Sequence, residues 1–281
     1  MTAQPTARHR ATSRTGYENP ALWRAGGFRS QVRVLAARSL RTAFGDRRLV
    51  FFGLLQPIVL LLLFSQVFSG VGNLPGVAAY QGYVNFLVPA TLVNIAMTTA
   101  MSSGAGLLAE VYSGFVGRLR CLPIRLFSVL MARTIADAAR LAVQLLVTLV
   151  ASVAFLGFRP AGGVLGVAAA LLLTLVVGWC LSWLFIAIAT WLRKAETLQA
   201  VSFIVMFPLM FGSSAYMPLD TMPVWMRVVS SVNPVTYAID ATRGLALDRP
   251  SGWAIPATLG IAVAAALGGG VMSARNFRRA T

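Results

Sequence analysis

Residues 49–71 read LVFFGLLQPIVLLLLFSQVFSGV, an uncharged run directly behind Arg47 and Arg48. A helix crosses the roughly 30 Å hydrocarbon core of a bilayer with about 20 apolar residues, so this run predicts a membrane span. Its one interruption is Gln56-Pro57. Pro57 has no amide hydrogen and so frees a backbone carbonyl, while Gln56 supplies both a donor and an acceptor. The pair predicts a kink that faces protein rather than lipid.

Working outward, five more apolar segments of comparable length follow, at about 83–108, 138–157, 163–190, 197–215 and 252–274. Residues 126–137 (LFSVLMARTIAD) are helical in pattern but carry Arg133 and Asp137, and read as a cytosolic extension of the third span. The expected fold is an all-α membrane protein with six transmembrane helices. The composition agrees: of 281 residues 57% are hydrophobic and 11% charged, with a mean hydropathy of +0.74. A soluble domain carries about 25% charged residues. So much apolar surface cannot be buried in one water-facing globule, which excludes a soluble enzyme and a disordered chain.

Charge sets the orientation. Placing the N-terminus inside puts eighteen of the 24 basic residues on the inner side and four, Arg159, Arg227, Arg243 and Arg249, on the outer side. That asymmetry predicts an N-in, C-in arrangement, and the net charge of +16 then belongs to inner membrane segments rather than to nucleic-acid binding. Residues 1–27 read as a flexible cytoplasmic tail. In residues 28–44, Phe28, Val32, Leu35, Ala36 and Ala43 share one helical arc with Arg38 and Arg41 opposite. That pattern fits an amphipathic helix on the inner membrane surface, or a basic juxtamembrane linker. The organisation is therefore a 1–27 tail, a 28–48 amphipathic segment and a 49–281 six-span domain, with an inner loop at 109–125 and an outer segment at 216–251. The outer segment is broken by Pro218, Pro223, Pro234 and Pro250. Its apolar pieces are too short to span, and read as re-entrant or interfacial helices or as an outer loop with short surface helices.

No catalyst is legible. The single histidine is His9, and the two cysteines, Cys121 and Cys180, do not suggest a disulfide framework or a metal site. A phosphate-binding loop needs G-x-x-x-x-G-K-[ST], but the only lysine, Lys194, follows Trp191-Leu192-Arg193. If ATP drives this protein, another polypeptide hydrolyses it. Arg133, Asp137 and Arg140 lie at i, i+4 and i+7, which predicts an inner ion-pair strip. Asn94 and Thr98 make the second span more polar than lipid favours; they line a pathway or bond to neighbouring helices. The inner loop is basic, with Phe115, Leu119 and Leu122 beside Arg118 and Arg120, and is halted by Pro123. It reads as a short helix that docks on a soluble partner, or as an ordinary inner loop.

Four patterns occur in order: G-F-V-x-R-L-R-x-L-P (Gly114 to Pro123), V-L-x-x-R-T-x-A-D (Val129 to Asp137), M-P-x-x-x-M-P-x-W (Met217 to Trp225) and N-P-V-T (Asn233 to Thr236). Together with Gln56-Pro57 they resemble the permease subunits of ABC type-2 exporters, closest to the daunorubicin-resistance type, over residues 28–279. The resemblance implies the type V exporter fold and a half-transporter in a bacterial cell membrane. Two permease chains, identical or similar, would sit on two ABC ATPase subunits that bind ATP and Mg; no cofactor is expected on this chain. Residues 28–44 would be the connecting helix. Glu110, Phe115, Arg118, Leu119, Arg120, Leu122 and Pro123 would form the ATPase-coupling site, with Gly117 standing where these permeases often carry an acid. Met217, Pro218, Met222, Pro223, Trp225, Asn233 and Pro234 would belong to an outer re-entrant hairpin capping the pathway. The pathway would lie between the first, second and fifth spans, with Gln56, Asn94, Thr98, Phe203, Met206, Phe207, Met210 and Phe211 as its candidate lining. The expected cargo is an amphipathic drug, antibiotic or lipid-like compound. A glycan precursor carried by the same fold, an ATPase-independent carrier and a membrane enzyme are the alternatives.

Overall fold

The computed structural model describes residues 27–45, 47–68, 70, 77, 80–114, 126–192 and 194–279. Its elements are helical: α1 (Phe28–Gly45), α2 (Arg47–Val67), α3 (Tyr83–Tyr112), α4 (Leu126–Leu156), α5 (Gly163–Leu192), α6 (Ala195–Phe211), a 3-10 turn at Leu219–Thr221, α7 (Val224–Val232), α8 (Pro234–Ala246) and α9 (Ala254–Arg279). Among the described residues, five helices, α2, α3, α4, α5 and α9, are long and apolar enough to cross a membrane. The expected fifth span is shorter than its apolar run: α6 has 17 residues and ends at Phe211, with turns through 212–215. At 1.5 Å per residue that is about 25 Å, the lower limit for crossing. Residues 126–137 and the third span form one unbroken helix of 31 residues.

α3 is the hub. Eighteen of its 30 residues are buried, and in the most apolar 18-residue stretch of each helix the buried share is 78% for α3 against 11% for α2. Small residues let its neighbours come close, as is usual between membrane helices. A Cβ on Gly104 of α3 would lie 2.6 Å from the Phe185 carbonyl oxygen of α5, and one on Gly269 of α9 would lie 2.5 Å from the Trp183 backbone on the same helix. The outer surfaces are apolar: Phe51, Phe52 and Leu63 of α2, Leu146, Val150 and Phe155 of α4, and Leu267 and Val271 of α9 are all exposed. An apolar belt of this extent suits lipid, not water.

The arc read along residues 28–44 is the packed face of α1. Leu35 and Ala36 are buried against Val129 and Ala132 of α4, Phe28 stacks on Phe127 at 6.3 Å, and Ser128 Oγ donates to Gln31 Oε1 at 3.1 Å. Arg29, Arg33, Arg38 and Arg41 lie on exposed positions.

Between α6 and α9 the prolines start elements rather than merely breaking them. Pro223 precedes α7, and Pro234 opens α8 behind Asn233, whose side chain accepts from the Val235 amide at 2.9 Å. This is the preferred arrangement for a helix start, a capping Asn followed by Pro at the first helical position. The Asn233 amide also donates to the carbonyls of Leu209 at 2.6 Å and Gly212 at 2.9 Å, tying the α7–α8 pair to the end of α6. Pro218 and Met222 are buried, Met217 is half-buried and Trp225 is exposed.

Candidate translocation cavity

Three helices meet around a cavity of about 270 Å³: α2 contributes Gly53, Gln56, Pro57 and Phe64, α3 contributes Asn94, Thr98, Thr99 and Ser102, and α4 contributes Arg140 and Gln144. Tyr216, from the turn after α6, closes one side, and Asn94 interacts with its hydroxyl. The local backbone explains part of this polarity. Pro57 cannot donate to the Gly53 carbonyl one turn earlier. That carbonyl accepts instead from Gln144 Nε2 at 3.1 Å, while Gln144 Oε1 accepts from Thr99 Oγ1 at 2.9 Å. Gln144 therefore joins all three helices with a single buried side chain. Gln56, beside the proline, lines the cavity.

Of the candidate lining residues, Gln56, Asn94 and Thr98 come together here. The α6 set does not. Phe203, Phe207 and Phe211 are exposed on α6, and Met210 is buried among Ala90, Val93 and Met97. Met206 lines a second, almost purely apolar cavity of about 220 Å³ with Val93, Val177 and Ala262. An aromatic series nevertheless connects α6 with the first cavity. Ring centroids run from Phe203 to Phe207 (5.7 Å), Phe211 (4.5 Å), Tyr216 (5.1 Å) and Phe64 (4.9 Å).

At the other end of α3 the expected ion-pair strip divides. Arg133 pairs with Asp137 (3.6 Å) and with Glu110 of α3 (3.2 Å), and its Nε donates to the Ser103 carbonyl at 3.1 Å. Gly106 leaves the space this guanidinium occupies; a Cβ there would collide with it. Arg140 stands apart from the strip. Two turns beyond Arg133, α4 has moved past Glu110 and faces α2, so Arg140 reaches toward Gly53 and the cavity. Glu110 thus links α3 to α4, the helices before and after residues 115–125. Phe115, Arg118, Leu119, Arg120, Leu122 and Pro123 lie outside the described residues.

Sequence reasoning missed Arg243, taken there only as one of four outer basic residues. It is buried, donates to the Phe86 carbonyl (3.2 Å from Nη2) and the Ser214 carbonyl (2.9 Å), pairs with Asp240 at 3.0 Å, and lies 3.8 Å from the Phe86 ring centroid. It fastens α8 to α3 and to the turn after α6. Burial pushes the Asp240 carboxyl up, against the opposing pull of Arg243 and of Ser214. The available signal was the spacing of Asp240 and Arg243, i and i+3 on one helix face.

With this geometry established, comparison with known proteins places the chain. The family model described as ABC-2 type transporter matches residues 30–247. The chain belongs to the ABC-2 type transporter family. It is similar to the daunorubicin resistance ABC transporter permease protein DrrB1 of Streptomyces coeruleorubidus, 31% identical over 68% of this chain and 66% of that protein. The putative transport permease ycf38 of Cyanophora paradoxa is 32% identical over 69% of this chain and 66% of its own length. The probable doxorubicin resistance ABC transporter permease protein DrrC of Mycobacterium tuberculosis is 29% identical over 69% and 70%. The chain thus spans about two thirds of the length of these relatives. The ABC-2 chain is a multi-pass membrane protein of the permease class.

Proposed function

We propose that this ABC-2 chain is the permease half of an ATP-driven exporter that moves an amphipathic drug, antibiotic or lipid-like compound out of a bacterial cell. A partner ABC ATPase in two copies binds ATP and Mg, and a second permease, identical or similar, completes the membrane part. In this reading α6 is the sixth crossing segment despite its length, both termini face the cytoplasm, and α7–α8 form an outer re-entrant hairpin. α1 is the connecting helix, with residues 1–27 as a tail and 49–281 as the transmembrane domain. The loop after α3 carries the push of the ATPase. The Arg133–Glu110–Asp137 group passes that push to α4, because it ties together the helices on both sides of the loop.

The observation that carries the reading is the cavity between α2, α3 and α4. Polar side chains there line a partly open cavity in a region otherwise built of apolar helices, where a polar group is retained only when it has a partner or a task. The family membership and the drug-resistance permeases among its relatives support the exporter class. The test is Thr98→Trp, which fills the cavity from α3. ATP-dependent export by the reconstituted complex should fall at least about tenfold while the ATPase still co-purifies. Export at the wild-type rate would overturn the assignment of the cavity as the route.

A further inference from the structure

The cavity holds one formal charge. Arg140 lines it, no Asp or Glu does, and among the described residues its guanidinium has neither an ion-pair nor a hydrogen-bond partner. Glu110 and Asp137 both pair with Arg133, and Asp240 with Arg243 and Ser214. Gln144, one turn further along α4, bonds to Gly53 and to Thr99, and Thr99 lies near the middle of the 30-residue α3. Arg140 stands one turn before Gln144 on α4, beside Gly53 of α2, in the wall of the cavity. A guanidinium with no direct ion-pair partner in the wall of a cavity between membrane helices marks a functional position. Beside it are the Gln56 and Asn94 amides and the Thr98 and Ser102 hydroxyls, while Leu60, Leu61, Phe64 and Ile95 supply apolar wall.

We infer that this cavity selects amphiphiles bearing an acidic group, a carboxylate, phosphate or sulfonate, which Arg140 receives while the apolar wall takes the hydrophobic body. This rests on the cavity being the transport route and names the chemistry of its cargo. A guanidinium offers a planar fork of donors that matches such oxyanions two at a time and repels a cationic guest.

The test uses the full chain in phosphatidylcholine nanodiscs and two fluorescent probes with one body. The first is dansyl-undecanoate, an anion; the second is its dimethylaminoethyl amide, a cation. The wild type is expected to bind the anion at least about tenfold more tightly, the effect of one charge-assisted hydrogen bond. Arg140→Gln should abolish that preference and Arg140→Lys should keep most of it. Equal or tighter binding of the cation by the wild type, or an unchanged preference in Arg140→Gln, overturns the inference. Thr98→Trp separates the two readings. If it removes binding while Arg140→Gln leaves the preference intact, charge selection alone falls. If both probes still bind to Thr98→Trp, the cavity is not their site, and the route and its selectivity fall together.

Discussion

Gln144→Leu isolates the bond that repairs the proline break in α2. The substitution keeps the side chain's approximate size and removes both of its hydrogen bonds, to the Gly53 carbonyl at 3.1 Å and from Thr99 at 2.9 Å. Thr99 can turn its hydroxyl to a carbonyl one turn earlier in α3, as Thr91 and Thr98 do. The lasting loss is the Gly53 carbonyl, whose own helix offers it no donor because residue 57 is proline. An orphaned carbonyl costs about 1–3 kcal/mol, and hydrogen bonds between membrane helices average nearer 0.6 kcal/mol. The expected destabilisation is therefore about 1–2 kcal/mol. Pro57→Ala restores an amide that can satisfy Gly53 from within α2, so in that background Gln144→Leu should cost about 1 kcal/mol less. Reversible unfolding of the four variants in mixed micelles measures this coupling directly. Equal costs in both backgrounds, within about 0.3 kcal/mol, would refute the assignment of Gln144 as the partner of the freed carbonyl.

Three further outcomes follow from the packing. Arg243→Ala removes the fastening between α8, α3 and the turn at 214 and leaves two carbonyls and Asp240 without it; a loss of about 3 kcal/mol is expected by the same unfolding assay. Arg243→Lys should recover less than half, because an ammonium cannot reproduce the fork. Gly104→Val places a side chain against the Phe185 carbonyl and should lower stability by roughly 1–3 kcal/mol, read as reduced yield of folded protein in the membrane. Glu110→Gln breaks the link to Arg133, a partly exposed pair worth about 1 kcal/mol at most. It should therefore leave the fold intact while lowering transport per ATP hydrolysed, measured with both rates on one preparation.

Much of the helical layout was legible because lipid imposes long uncharged runs. Residues 83–108 and 163–190 lie within α3 and α5, and the Leu35–Ala36 arc is the buried face of α1. The end of α6 was less so: apolar composition continues to residue 215, but hydropathy does not distinguish a helix from the turn that follows it. The lining of the cavity was legible only in part. Gln56, Asn94 and Thr98 announced themselves as polar residues in apolar runs. Gln144 carried the same signal, but its role depends on Gly53, ninety-one positions earlier, and no local pattern links the two. Helical spacing put Arg140 on the face of Arg133, and a face does not say which neighbour is met along a helix of 31 residues. Arg243 was hidden because a loop charge and a buried charge look alike until the chain folds around one of them.

The most direct measurement is the accessibility of position 98. In a chain carrying Thr98→Cys, Cys121→Ser and Cys180→Ala, assembled with its ATPase in oriented vesicles, a membrane-impermeant maleimide reports which side reaches the cavity. The predicted result is labelling from the cytoplasmic side without nucleotide and from the opposite side when ATP is bound but not hydrolysed. A cysteine that is never labelled, or that is labelled from one side whatever the nucleotide, would contradict a route through α2, α3 and α4.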